Sequence, residues 1–158
     1  MRREESSLRR EIRQNKPFRS RQQEALLGLA RTAALAKRQG ARLVESYGLS
    51  PEQYNVLRIL RGASPEKLPT LEIVERMIEP SPAITRLLDK LESKSLVRRA
   101  QCPKDRRQVL CSITPEGLDL LAKLDRPMDE AAKDGMKLGR DDLDTLIRLL
   151  DRVRAELG

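Results

Sequence analysis

Three cations that can bind a polyanion and one carboxylate occur in one short run of the sequence: Lys104, Arg106 and Arg107, with Asp105. The segments on either side contain residue types typical of β-strands, namely Val97, Val109, Cys111 and Ile113. This arrangement predicts a β-hairpin with a basic tip. Ammonium and guanidinium groups at such a tip can bind phosphate oxygens or enter the minor groove of duplex DNA.

A second group of candidate contacts lies on a helix predicted directly before this hairpin. Ser81 and Pro82 indicate its start, because a hydroxyl can cap a helix and proline is favoured in the first turn. The apolar residues at helical spacing, which predict the buried face, are Ile84, Leu87, Leu88 and Leu91. The side chains turned away from that face are Thr85, Arg86, Asp89 and Lys90.

The elements that must position these residues are mainly helical. A helix over about residues 19–47 is predicted by an apolar stripe of Leu26, Leu29, Ala33, Ala36, Gly40, Leu43 and Tyr47. Its small middle residues allow another helix to approach closely, within the fold or across a dimer interface. Of these two arrangements we expect core packing.

Hydroxyl residues that can cap a helix precede three further apolar periodic segments, at Ser50, Thr70 and Thr114. Pro80 is expected to end the second of these helices, and Pro127 to kink or break the third. Residues 65–69 predict a linker, and a last helix is predicted from about Arg140. The fold class is therefore mainly α with a small β-hairpin, in a single domain over residues 1–158.

The order helix, turn, helix and basic hairpin is the layout of a winged helix-turn-helix. In this fold the second helix enters the major groove, and the hairpin contacts phosphate or the minor groove. The sequence therefore predicts binding to double-stranded DNA.

Composition favours the same partner and disfavours several others. The net charge is +8, and residues 81–107 and 1–22 each hold eight basic against three acidic residues. For residues 1–22 a mobile basic arm and a more specific role are both open. The chain has no His and three aromatic residues, which disfavours His-based catalysis, zinc sites and stacking of single-stranded nucleic acid.

Several classes of protein are not expected. The sequence shows no Gly-rich phosphate loop, metal-ligand cluster or activated nucleophile, so we expect no enzyme, no cofactor and no metal site. No apolar run approaches the ~20 residues that span a bilayer, and the charged N-terminus does not resemble a signal peptide. We therefore expect a cytoplasmic protein that does not bind a membrane.

The chain resembles the MarR (multiple antibiotic resistance regulator) family of bacterial transcription factors over about residues 49–117. The resemblance rests on the motifs LSPEQYNVL (49–57), ITRLLDKLE (84–92), LVRR (96–99), DRRQVL (105–110) and ITPEG (113–117). It implies a homodimer with dimerisation helices over residues 19–47 and 118–158 and a DNA-binding region over residues 50–117. Two winged units would then read a near-palindromic operator.

The resemblance also implies roles for individual residues. The family's Asp-x-Arg pattern falls on Asp105 and Arg107, where the carboxylate would orient the guanidinium for the minor groove. The recognition-helix positions fall on Ser81, Ala83, Thr85 and Arg86, although Ser81 has an alternative as an N-cap. Further cations, expected to give general electrostatic support, are Lys90, Lys94, Arg98 and Arg99.

Two departures from the family pattern affect the recognition helix. The segment 80–83 reads Pro-Ser-Pro-Ala, which removes two backbone N–H donors, so we expect few base contacts there. The preceding turn holds Ile78 and Glu79, where the family often has a Gly.

The resemblance implies a repressor released from DNA by a small amphipathic or aromatic acid, bound between the dimerisation helices and the winged region. Candidate partners for the acid's carboxylate are Arg38, Arg42 and Arg58. A second hypothesis is a nonspecific architectural DNA-binding protein with the same fold. The proline-rich start of the recognition helix favours this hypothesis.

A third hypothesis is a redox-sensing regulator that uses Cys102. This cysteine lies near Lys104 and Arg106, and nearby cations favour the oxidisable thiolate. A hairpin tip at Lys104 and Asp105 sets Cys102 opposite Arg107 and Cys111 opposite Arg98, so the two cysteines are not expected to form a disulfide. Cys111 is expected to be buried as a small apolar residue.

Overall fold

The computed structural model describes residues 7–158. Its helices are α1 (Ser7–Glu11), α2 (Arg21–Ser46), α3 (Pro51–Ala63), α4 (Thr70–Arg76), α5 (Ile84–Ser93), α6 (Pro115–Gly135) and α7 (Arg140–Leu157). Its strands are β1 (Leu68–Pro69), β2 (Val97–Gln101) and β3 (Val109–Ile113), which form an antiparallel sheet in the order β1-β3-β2. The predicted fold class is confirmed.

Two of the predicted helix caps are confirmed. The Ser50 hydroxyl accepts a hydrogen bond from the backbone N–H of Gln53 at 3.2 Å, and the Gln53 side chain accepts one from the N–H of Ser50 at 3.0 Å. The Thr114 hydroxyl accepts from the N–H of Gly117 at 3.1 Å. These bonds satisfy N–H groups that have no partner within the first turn of α3 and α6.

The other two caps were predicted wrongly. Thr70 is the first residue of α4 rather than its cap, and its hydroxyl lies 3.4 Å from the carbonyl oxygen of Val109 in β3. Ser81 accepts from the N–H of Ala83 at 3.2 Å, which closes a local turn instead of starting a helix. Helix α4 ends at Arg76, before Pro80, and α5 begins at Ile84, three residues after Ser81.

The hairpin register differs from the prediction by one residue. Cys111 pairs with Arg99 rather than Arg98, and the N–H of Cys102 donates to the carbonyl of Gln108 at 2.9 Å, so Cys102 is not opposite Arg107. The cause is a tip centred on Asp105, whose carbonyl accepts from the N–H of Gln108 at 3.0 Å. In hairpins the turn determines the register.

The expected linker over residues 65–69 also contributes to the sheet. Its last two residues form β1, in which Leu68 pairs with Cys111 and is 5% exposed. A two-residue strand is too short to give a periodic signal in the sequence. The sheet is therefore one strand wider than the predicted hairpin.

The core lies in the part of the chain from the end of α2 to the middle of α6. Its most deeply buried residues are Val44, Val56, Leu57, Leu60, Ile73, Leu88, Leu91, Cys111, Leu121 and Leu124. Leu121 and Leu124 precede Pro127 and Met128 packs against the same core, so α6 continues through the proline and the predicted break is absent.

The prediction that the apolar stripe of α2 packs in the core is wrong for the N-terminal half of the helix. Leu26 and Leu29 are 51% and 38% exposed, and Ala33 and Ala36 are also exposed. Helix α7 forms as predicted but buries no residue. Both apolar faces lack a cover within the described chain.

The expected basic arm over residues 1–22 is partly helical. Residues 7–11 form α1, where a Leu8 methyl lies 3.7 Å from the position that a Cβ would take on Gly28 in α2. Residues 1–6 of the arm lie outside the described part of the chain. Within residues 7–158 no helix is both long and apolar enough to cross a membrane.

Candidate nucleic-acid interface

Helix α5 has a buried apolar face and an exposed polar face on its opposite side. Leu88 and Leu91 are 1% and 0% exposed and fix the helix to the core. The predicted contact residues on the outer side are exposed: Ala83, Thr85, Arg86 and Lys90. Ser81 is half-buried in the turn before the helix.

The tip of the β2–β3 hairpin carries the other predicted contact residues. Lys104, Asp105, Arg106 and Arg107 are all exposed. The Asp105 carboxylate accepts a hydrogen bond from the backbone N–H of Arg107 at 3.0 Å. It forms no ion pair with the Arg107 guanidinium within the described residues, so it orders the tip backbone and leaves that guanidinium free.

Arg99 joins helix α5 to the base of the hairpin. Its guanidinium lies 2.7 Å from the Asp89 carboxylate and 2.6 Å from that of Glu92, both on α5, and its backbone N–H donates to Glu92 at 3.1 Å. These hydrogen bonds lower the pKa of Glu92 and raise that of Arg99. Arg99 therefore has a structural role that the sequence did not predict, and its electrostatic support of DNA binding stays a prediction.

Sequence reasoning missed this linkage because the signal is weak: Asp89 and Glu92 are three residues apart on one helix face, and an Arg follows in the next strand. Lys94 is also engaged, since its ammonium donates to the carbonyl oxygen of Gly48. The cations of this region whose side chains form neither an ion pair nor a hydrogen bond with another described residue are Arg86, Lys90, Arg98, Lys104, Arg106 and Arg107.

A cavity of about 650 Å³ lies between α2, the start of α3 and the turn that joins α4 to α5. Four alanines of α2 line it, Ala30, Ala33, Ala34 and Ala36, opposite Met77 and Ile78. The Asn55 side chain, also in the lining, accepts from the N–H of Ile78 at 3.0 Å. This is the region in which an effector was expected.

The charged groups of this cavity are not those predicted. Lys37, Glu52 and Glu79 line it, whereas Arg38, Arg42 and Arg58 are absent from its lining. Arg58 instead lies over the Tyr54 ring, 5.9 Å from its centroid. The Lys37 ammonium lies 2.7 Å from the Glu79 carboxylate, and this hydrogen bond raises the pKa of Lys37.

Both cysteines are free thiols. Cys111 is buried as expected, and its burial raises the pKa of its thiol, which disfavours the reactive thiolate. Cys102 is half-buried at the base of the hairpin tip. Among residues 7–158 no cluster of three or more Cys, Asp or Glu side chains could hold a metal ion.

Comparisons with known proteins identify the fold and the family. The MarR family model matches residues 49–109. A crystal structure of a MarR transcription factor from Planctomyces limnophilus is 39% identical, with a TM-score of 0.67 and coverage of 85% of this chain and 98% of that one. YkoM of Bacillus subtilis, an uncharacterised HTH-type transcriptional regulator, is 32% identical over 111 residues, 69% of this chain and 70% of that protein.

A shorter match links the chain to a repressor. The HTH-type transcriptional repressor MdtR of Bacillus subtilis is 41% identical over 75 residues, which are 47% of this chain and 46% of that protein. These relatives are transcription regulators, in agreement with the expectation that the chain is not an enzyme. From the winged helix-turn-helix, the family match and the full-length structural relative, we conclude that the chain belongs to the MarR family of DNA-binding transcriptional regulators.

Proposed function

We propose that this regulator binds a near-palindromic operator as a homodimer and represses transcription until an effector releases it. The observation that carries the proposal is the set of unpaired cations on two adjacent elements. Arg86 and Lys90 project from α5, and Lys104, Arg106 and Arg107 from the hairpin tip. Arg99 ties these two elements together, so they would engage one DNA duplex as a unit.

The dimer is proposed from the two apolar faces that the chain leaves uncovered. On one face of α7, Ile147, Val153 and Leu157 are 56%, 37% and 69% exposed, and on α2 Leu26 is 51% exposed. Large apolar side chains left exposed along a helix face are typical of protein interfaces. A two-fold dimer would present two copies of α5 to two half-sites of the operator.

Repression and effector response rest on two further observations. Repression is the role named for MdtR, which matches less than half of this chain. The cavity between α2 and the α4–α5 turn has the volume of a small-molecule site. A molecule bound there would contact a dimerisation helix and the turn before the recognition helix together.

Selection from a random pool of DNA duplexes at physiological salt tests the proposal. We expect enrichment of a near-palindrome with half-sites about one helical turn apart. The Arg86→Ala variant should lose base preference within each half-site, whereas Lys123→Ala on α6, which removes the same charge elsewhere, should select the wild-type sequence.

The second candidate is an architectural protein that binds DNA without sequence preference. It is favoured by Pro80 and Pro82, which supply no backbone N–H donors before α5. In the same selection it predicts strong retention of DNA without enrichment of any sequence. The ratio of specific to nonspecific affinity therefore decides between the two functions.

A further inference from the structure

The cavity beside the α4–α5 turn has an apolar wall and a net negative lining. Alanine side chains of α2 form one wall, and Met77 and Ile78 the other. Its charged groups are two carboxylates, Glu52 and Glu79, and one ammonium, Lys37. With all three ionised the lining carries one net negative charge, which favours a ligand with a positive group.

The two carboxylates differ in their present partners. Glu79 is paired with Lys37 at 2.7 Å, whereas Glu52 forms no ion pair with another described residue. Glu52 lies in the first turn of α3. A cation entering the cavity would therefore meet one unpaired carboxylate and a second one held only by an exposed ion pair.

We infer that this cavity binds an amphipathic organic cation, whose apolar body packs on the α2 alanines while its positive group binds Glu52 and competes with Lys37 for Glu79. The inference rests on the proposed effector response and replaces the acidic effector expected from the sequence. An aromatic acid would add to the net negative charge of the lining, and by taking Lys37 from Glu79 it would leave both carboxylates without a cation.

The location of Glu79 connects this binding to DNA. Lys37 belongs to α2, whereas Glu79 lies in the turn two residues before Ser81. Both side chains are more than half exposed, at 51% and 67%, so the ion pair is weak and a ligand can replace it at little cost. Its loss would remove one link between α2 and the start of the recognition helix.

Calorimetric titration of the full chain without DNA tests the charge preference. The probes are biphenyl-4-ylmethylammonium and biphenyl-4-carboxylate, which share an apolar body and differ in the sign of their charge. We expect the ammonium compound to bind about tenfold more tightly, the effect of one charged hydrogen bond. Equal affinity, or tighter binding of the carboxylate, would overturn the inference.

Three variants assign the preference to this cavity. Glu79→Gln removes a carboxylate and should weaken binding of the ammonium probe, whereas Lys37→Met removes its competitor and should strengthen it. Glu75→Gln, on the exposed side of α4 and outside the lining, changes the net charge equally and should leave the affinity unchanged. If Glu79→Gln and Glu75→Gln have the same effect, the cavity is not the binding site.

A separate DNA-release assay keeps the two proposals distinguishable. If the ammonium probe binds in the cavity but leaves the protein on its operator, the effector response fails while the assignment of the cavity stands. If the operator is bound specifically and neither probe binds, the cation inference fails while the DNA-binding function stands.

Discussion

Neighbouring side chains decide what each cation of this protein does. Arg99 has two carboxylates within 2.7 Å and a side chain only 24% exposed, so it holds α5 against β2. Arg107 is exposed and unpaired within the described residues, and only its backbone N–H is held by Asp105. The same residue type is thus structural at one position and available for a ligand at another.

Replacing Arg107 with Ala should weaken DNA binding by about 1–3 kcal/mol, because it removes the guanidinium proposed to enter the minor groove. Fluorescence anisotropy titration at fixed salt measures the loss, and sedimentation should show an unchanged oligomeric state. Lys123→Ala on α6 is the matched loss of charge and should have little effect. An Arg107→Ala variant that binds as tightly as the wild type would mean that the hairpin tip does not contact DNA.

Glu92→Gln should destabilise the protein at neutral pH but not in acid. Arg99 lowers the pKa of Glu92, so the folded protein keeps this carboxylate ionised at a pH where the unfolded chain protonates it. The resulting stabilisation is complete above the ordinary value of 4.5 and is lost as the pH falls through the lowered pKa. We expect about 1 kcal/mol at pH 7, because the carboxylate is partly solvated.

Urea unfolding at a series of pH values measures this effect, with Glu156→Gln on the exposed face of α7 as the control. The difference between Glu92→Gln and the wild type should shrink in acid, while the control should show little difference throughout. A loss of stability that is the same at every pH would argue for a packing role of Glu92 instead.

At the scale of elements, the start of α6 is packed directly on the hairpin. A Cβ on Gly117 would lie 2.5 Å from the Leu96 carbonyl oxygen and 2.7 Å from a side-chain carbon of Ile113. The same Leu96 carbonyl accepts from the N–H of Thr114 at 3.1 Å. Helix α6 therefore approaches the ends of both hairpin strands as closely as a residue without a side chain allows.

Gly117→Ala should destabilise the protein by about 2 kcal/mol, since backbone atoms must move to admit the methyl group. Gly62→Ala is the matched control, because nothing lies within 4 Å of the added Cβ and alanine favours the helix. Chemical denaturation should thus show opposite changes for the two variants. Equal stability of Gly117→Ala and the wild type would contradict the close approach.

At the scale of the whole molecule, the chain divides into a region with its own core and helices without one. The core lies between the end of α2 and the middle of α6, whereas α7 buries nothing and α2 exposes Leu26, Leu27 and Leu35. An apolar helix face gains its stability by packing. These helices therefore have the surface that a second subunit would complete.

Ile147→Glu should convert the proposed dimer to a monomer, because it places a charge in an apolar interface. Sedimentation equilibrium measures the change, and affinity for a palindromic duplex should fall with it. Thr145→Glu introduces the same charge at a polar position of α7 and should remain dimeric. A dimer that persists in Ile147→Glu would show that this face of α7 is not the interface.

The sequence by itself determined those features that depend on neighbours along the chain. The caps at Ser50 and Thr114, the start of α7 near Arg140 and the basic hairpin were predictable because a hydroxyl, an apolar period or a strand-forming run acts within a few residues. The order of these elements was then enough to predict a winged helix-turn-helix.

Only the tertiary structure decided which groups meet across the fold. Three findings depend on distances between separate elements. They are the one-residue register shift, the pairing of Arg99 with Asp89 and Glu92, and the presence of Lys37 rather than a nearby Arg in the cavity. An apolar stripe likewise predicts that a helix face will pack against another surface, but it does not identify that surface. The sequence therefore could not show whether the stripe of α2 is buried within this chain or left exposed. Spacing along the chain determines which face of a helix or strand a residue occupies, whereas tertiary packing determines which residue it contacts.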